Sequence, residues 1–190
     1  MKMDEAGDFL SQFEEGKMTR MEAEARNTIA NEMLDKKKET AKAKKLIDRI
    51  LYFTLSTANK FGVPWGAPFM FAHDKDYNFY WRASRKTVHS VNIIENENVA
   101  FTIYDSTLPR SEAFGVYVKA KAYVVDNKNE IKRALKMLLK RENKQPPPFE
   151  EYLPGAPKAV YKAVPTAVWV NDLGEKGDDV LKYLRMEIKL

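Results

Sequence analysis

The sequence predicts an α+β fold: a barrel of mostly sequential antiparallel strands with helices set between them, behind a helical N-terminal extension. Three observations predict it. Five or six segments rich in β-branched and aromatic residues follow one another along residues 52–171. Helical segments interrupt this series only here and there, whereas a doubly wound parallel sheet needs a crossover helix after nearly every strand. Residues 17–49 hold neither glycine nor proline, which leaves a long helical stretch in front of the strands.

In that first stretch Met18, Met21, Ala25, Ile29 and Met33 recur at spacings of three and four, a single helical stripe. Thr19 with Glu22 forms a capping-box pattern. One long helix or two are expected, ending near Asp48. The period then changes to that of a strand at 52–57. Asn59-Lys60-Phe61-Gly62 is a hairpin turn. Pro64–His73 is a second strand, and Pro68 inside it predicts an edge, a bulge or a break. The chain turns at 74–78 and returns along Phe79–Arg82. Ser84 is expected to open a helix that closes near Asn96. Strands follow at Val99–Tyr104 and Phe114–Val125, separated by a loop at 106–110. Asp126 is expected to cap a helix over about 128–141, with Leu135, Leu138 and Leu139 on its apolar side. Residues 143–157 contain five prolines and read as a loop. Ala159–Asn171 is the last long strand. A turn at 174–179, a short helix at 178–184 and a terminal strand at 185–190 complete the expectation.

Composition narrows the chemistry. The 190 residues are 44% apolar and 31% charged, as in a globular chain with a full core. No apolar run approaches the roughly 20 residues of a membrane span, and no secretory h-region is present at the N-terminus. Without cysteine there is no disulfide, no thiolate nucleophile and no cysteine-ligated metal. The only histidines are His73 and His89, too few for a histidine-rich metal site. A cytoplasmic location is expected. The net charge of +5 is local: residues 33–49 carry seven Lys or Arg against three Asp or Glu. The segment from Lys36 to Lys45 could touch nucleic acid, or it is a solvated helix face. No aromatic residue lies between these lysines to stack a base, so neither nucleic acid nor a membrane is the expected partner.

The most informative stretch is Phe79-Tyr80-Trp81-Arg82-Ala83-Ser84-Arg85-Lys86. An aromatic strand ends in a hydroxyl and two adjacent cations where a helix is expected to begin. A helix N-terminus offers free N–H groups and partial positive charge. With Ser84 as cap and Arg85 and Lys86 beside it, the place suits a phosphate monoester. Standing alone, Ser-Arg-Lys also reads as an ordinary cap followed by two solvated cations.

The order of segments resembles the pyridoxamine 5'-phosphate oxidase-like family of FMN-binding split barrels. The resemblance spans residues 46–171. Its landmarks are the strand at 52–57, the turn Gly62-Val63-Pro64, the 79–86 stretch, Asn92-Ile93-Ile94-Glu95-Asn96 before Val99, and Pro165-Thr166-Ala167-Val168-Trp169-Val170-Asn171. It implies a six-stranded antiparallel split β-barrel over 46–190, with residues 1–45 as the helical extension. It also implies that Ser84, Arg85 and Lys86 grip the phosphate of FMN. The strand at Phe69, Met70 and Phe71 would run along the flavin ring and bind it mainly through backbone groups, with Phe79 and Tyr80 against the cofactor. A homodimer with FMN at the interface is the implied assembly, and an oxidoreductase acting on a small molecule the implied activity. The same aromatic residues would equally fill a barrel core.

Two departures qualify the vitamin B6 reading. The family's true oxidases hold their substrate with a C-terminal Arg-x-His arrangement, and no histidine follows His89 here. The arginine the family carries at the start of the flavin-facing strand is also missing, and Ala67 lies near that place. Pyridoxamine 5'-phosphate is therefore not the expected substrate. A non-catalytic flavin carrier, a deazaflavin- or haem-binding barrel, and a nucleic-acid module using Lys36–Lys45 are the alternatives. Haem would need His73 or His89 as axial ligand. Both are otherwise read as structural residues.

Overall fold

The computed structural model describes residues 20–109, 112–145, 147–171 and 185–190, with side chains from residue 35 onward. The chain divides into two units, 1–38 and 39–190. The capping box at Thr19, the stripe from Met18 to Met33, the turn at 174–179 and the helix expected at 178–184 lie outside the described residues or side chains.

Helix α1 covers Arg20–Arg49. The boundary expected at residue 45 falls inside it. Ala43, Leu46 and Ile47 are buried in the barrel core, so the last turns of the helix belong to the second unit. Its end is held by Arg141, whose Nη2 donates to the carbonyls of Ile47 (3.2 Å), Asp48 (3.1 Å) and Ile50 (2.6 Å). A cation there satisfies carbonyls that the ending helix leaves open.

Strand β1 (Tyr52–Ala58) alternates exposed and buried, with Phe53, Leu55 and Thr57 inward. The turn after it forms as its sequence dictates. Asn59 Oδ1 accepts from Phe61 N and Val63 N at 3.0 Å each, and Gly62 takes φ +82°. The expected second strand is two, β2 (Pro64–Met70) and β3 (Ala72–His73). The break falls at Phe71, whose N–H donates to Leu51 O. Pro68 is tolerated because β2 is an edge strand paired only with β1. Asp74 builds the next turn by accepting from the backbone of Asp76 and Asn78. Strand β4 (Phe79–Ser84), helix α2 (Val88–Glu95), β5 (Asn98–Tyr104) and β6 (Gly115–Val124) follow.

Helix α3 (Lys128–Glu142) is capped by Asn127, whose side chain accepts from the N–H groups of Asn129 and Glu130, rather than by Asp126 as expected. It ends at Asn143 in the left-handed conformation, φ 54°. The proline loop contains a 3₁₀ turn at Phe149–Tyr152. Strands β7 (Lys158–Asn171) and β8 (Arg185–Ile188) complete the described chain.

The strands make one curled antiparallel sheet in the order β2-β1-β5-β6-β7-β4-β3, with β8 added on β7. This is the split-barrel α+β architecture. The described residues form eight strands rather than six because of the break at Phe71 and the terminal β8. Between Lys119 and Ala120 the β6–β7 register shifts, and Pro165 sits at that bulge, where a missing N–H is harmless. Inside the barrel, Phe53 stacks on Phe101 (4.8 Å) and Phe71 (5.2 Å) and meets Trp81 edge-on (5.6 Å). A second, smaller core lies under α3, where Ile131, Ala134, Leu135 and Leu139 cover Tyr80 and Val160.

Candidate functional site

Strand β4 carries the candidate residues to one end of the barrel. Ser84 is its last residue, still laddered to Lys158 of β7, so it does not cap α2 as expected. Thr87 occupies the N-cap position, and no side chain caps the first helical N–H groups. The Thr87 hydroxyl instead donates back to Ser84 O (2.9 Å) and lies 2.7 Å from His89 Nε2. Ser90 Oγ also donates to Ser84 O, at 2.8 Å. These bonds knot the β4–α2 turn tightly. Ser84 and Lys86 are exposed on it, with Ser84 Oγ accepting from Lys86 N at 3.3 Å.

Arg85 points inward from the same turn. Its backbone N donates to Pro157 O (2.9 Å) and its Nε to Ala156 O (3.0 Å). Its Nη2 is buried and makes no hydrogen bond. Nearby, the Trp81 Nε1–H is also buried and unpartnered, and the buried Tyr161 hydroxyl has the Ser90 hydroxyl as its neighbour. Trp81 and Tyr161 face each other across the β4–β7 ladder, stacked at 5.5 Å and 16°. Burial raises the Tyr161 phenol above its ordinary pKa, opposed by the Ser90 hydroxyl and the Arg85 charge. Arg85 Nη2 and Trp81 Nε1–H are hydrogen-bond donors. Buried donors without acceptors are rare in folded proteins. An oxyanion beside Arg85 would answer its free donor and balance its charge, so the chemistry of this turn fits a phosphate monoester.

Phe69 closes one side of this place. It is half-buried, with its ring 4.5 Å from His89 edge-on and 6.2 Å from Trp81. His89 itself is 6% exposed, and burial lowers its pKa, so its ring is neutral at pH 7. The turn residues, Phe69 and His89 thus converge. Met70 is half-buried on the neighbouring stretch of β2.

Phe71, Phe79 and Tyr80 are fully buried. Phe71 lies between Phe53 and the Arg141 guanidinium, and Phe79 packs on Phe101 at 4.8 Å. The Tyr80 hydroxyl turns toward α3, donates to Glu130 Oε1 (2.8 Å) and lies 3.2 Å from Asp74 Oδ2. Burial, with those carboxylates nearby, pushes its pKa up to about 12. These three side chains are thus closed off by the barrel core and by α3.

Sequence reasoning did not single out Tyr161, Thr87 or Ser90, nor the carbonyls of Ala156 and Pro157. No local signal marks them, since only the β4–β7 pairing brings them to Arg85. Arg82 bonds to Glu142 (2.5 Å) and to the Tyr152 hydroxyl (3.3 Å). Among the described residues no group of three His, Asp or Glu could hold a metal ion. No described helix is long and apolar enough to cross a membrane.

Residues 39–170 match the family model for pyridoxamine 5'-phosphate oxidase. The chain belongs to this family. Among solved structures, the haem storage protein HutZ from Vibrio cholerae superposes with a TM-score of 0.55 at 16% identity, covering 68% of this chain and 92% of that one. A haem-binding protein from Mycobacterium smegmatis gives 0.58 at 14%, covering 77% and 56%. General Stress Protein 26 from Bacillus anthracis gives 0.50 at 19%, covering 68% and 91%. At these identities the likeness is one of fold. No curated protein matches the sequence.

Proposed function

We propose that this family member is an FMN-binding flavoprotein, a cytoplasmic oxidoreductase acting on a small molecule other than pyridoxamine 5'-phosphate. The observation that carries the reading is the buried Arg85 Nη2 without an acceptor. Arg85 from within and Ser84 and Lys86 from the rim would hold the phosphate. Phe69 and Met70 would flank the ring system. When bound, FMN supplies hydride or electron transfer at that ring. The chain's own part is to bind, orient and exclude water.

A homodimer belongs to this reading. Helix α2 leaves Val88, Val91 and Ile94 exposed, and the neighbouring β1–β2 hairpin leaves Phe61, Val63 and Trp65 exposed. The two are joined by a bond from Lys60 N to Glu95 Oε2. Such a patch is larger than scattered surface apolar residues and is what a second copy would cover.

Haem is less well supplied. His89 Nε2 meets Thr87, while His73 Nε2 lies 2.9 Å from Asp48 Oδ1 and its Nδ1 2.9 Å from Asp74 O. Neither imidazole is presented as an axial ligand. Nor does the lysine segment favour nucleic acid, since Lys42 and Lys44 lie over the rings of Phe114 and Tyr77.

Titration of the purified, ligand-stripped chain with FMN tests the proposal. Saturation at one FMN per chain, with bleaching of the bound flavin on anaerobic addition of a reductant, is the expected outcome. Haem binding at one per chain with no FMN binding would overturn it.

A further inference from the structure

A second place on the molecule has the build of a ligand site and lies away from the β4–α2 turn. Helix α3 and the proline loop enclose an open groove of about 810 Å³, within the size range of small-molecule sites. Lys132, Lys136, Lys140 and Lys144 line it. At four-residue spacing Lys132, Lys136 and Lys140 follow one another about every 6 Å up a single face of the helix, and Lys144 lies just past its end. Between them, Leu135 and Leu139 form an apolar floor, each only 2% exposed.

The far wall is Pro147, Pro148 and Phe149. Prolines there hold the wall extended and offer no N–H to a ligand. Two of the four lysines are engaged. Lys132 Nζ lies 4.1 Å over the Phe149 ring, and Lys144 pairs with Glu142 at 3.3 Å. Lys136 and Lys140 are exposed and have no acidic partner among the described residues. One carboxylate, Glu150, also lines the groove, and it does not balance four lysines.

We propose that this groove binds a small anionic amphiphile: one acyl or aryl body laid on Leu135, Leu139 and Phe149, with a carboxylate or phosphate head between Lys136 and Lys140. Charge complementarity selects the head, and the apolar floor selects the body. A bilayer is the wrong shape for the site. Four lysines line it with only a few apolar side chains between them, so it presents little to insert. An acidic peptide would meet the lysines but gain little from the floor.

Calorimetric titration of the full chain with dodecanoate, dodecyl phosphate and dodecanol, each below its micellar concentration, tests the proposal. Both anions should saturate one site, and dodecanol should bind roughly tenfold more weakly. The double variant Lys136→Glu/Lys140→Glu should lose roughly tenfold or more in affinity for either anion, while its melting temperature and its dodecanol affinity stay unchanged. Both positions are exposed, and Lys136→Gln/Lys140→Gln gives the same comparison should the reversal misfold. Arg85→Ala should leave dodecanoate binding as it is. Three results overturn the proposal. One is no saturable binding of either anion. Another is unaltered affinity in the lysine variants. The third is tighter binding of poly-glutamate or of anionic vesicles than of either free amphiphile.

Discussion

Two adjacent rungs of the β4–β7 ladder treat their polar groups in opposite ways. Tyr80 pairs with Lys162, and Trp81 with Tyr161. On the first rung everything is answered. Tyr80 donates to Glu130 with Asp74 Oδ2 3.2 Å away, Lys162 Nζ lies 2.9 Å from Glu130 Oε1, and Asn78 Nδ2 donates to Asp74 Oδ2. On the next rung, facing the other side of the sheet, Trp81 Nε1 has no partner, and neither has Arg85 Nη2. The chain therefore has the means to satisfy buried polar groups and does so under α3.

Breaking the closed rung should have the larger effect on stability. Glu130 accepts from both Tyr80 and Lys162, so Glu130→Ala leaves a phenol and an ammonium with one acceptor fewer. A loss of about 2–3 kcal/mol is expected from charge-assisted bonds of this kind, read from urea unfolding. FMN affinity should not move. A variant that loses flavin and keeps its stability would mean the two rungs are not separate.

Arg82 tests the same face more gently. Its bonds to Glu142 and Tyr152 tie β4 to the end of α3 and to the 3₁₀ turn. Arg82→Ala should cost about 1–2 kcal/mol and leave FMN binding unchanged. Loss of flavin affinity without loss of stability would place Arg82, not Arg85, at the phosphate.

The two rungs should also titrate apart. Burial lowers His89, beside the open rung, from its ordinary 6.5. The unfolded chain then binds that proton more readily, so stability falls as pH drops below 6.5. Burial alone would raise Glu130, but its bonds to Lys162 and Tyr80 win and hold it below its ordinary 4.5. Its contribution is complete above that value and is lost as pH falls through the folded pKa. Acid unfolding of the apo chain should therefore show an upper stage removed by His89→Gln and a lower stage removed by Glu130→Gln. A single stage insensitive to His89→Gln would contradict this order.

Much of the frame is written in local sequence. The alternation of β1, the Asn59–Gly62 turn, the proline edge of β2 and the Leu-rich face of α3 all form as their residues dictate. Caps are less legible. Ser84 has the chemistry of an N-cap, but its ladder to Lys158 keeps it in the strand, and Thr87 takes the position. Asn127 displaces Asp126 by one residue for a similar reason, since Val125 N is still bonded to Val160 O. Arg85 is legible as a cation of a phosphate turn. Tyr161 is not, because the register that sets it against Trp81 joins distant segments. The burial of both Phe79 and Tyr80 is likewise invisible in β4 alone, where alternation predicts one face open. Helix α3 covers the other face.

The most direct test of the open rung compares FMN with riboflavin, which lacks the phosphate, in the native chain and in Arg85→Ala. Fluorescence quenching gives the four dissociation constants. Loss of one charge-assisted bond of roughly 1.5–3 kcal/mol should weaken FMN about ten- to a hundred-fold in the variant. Riboflavin should bind both proteins alike, and more weakly than FMN binds the native chain. Equal FMN affinity in the native chain and Arg85→Ala would contradict the account, leaving Ser84-Arg85-Lys86 a knotted turn with solvated charges and its buried donors without a phosphate to hold.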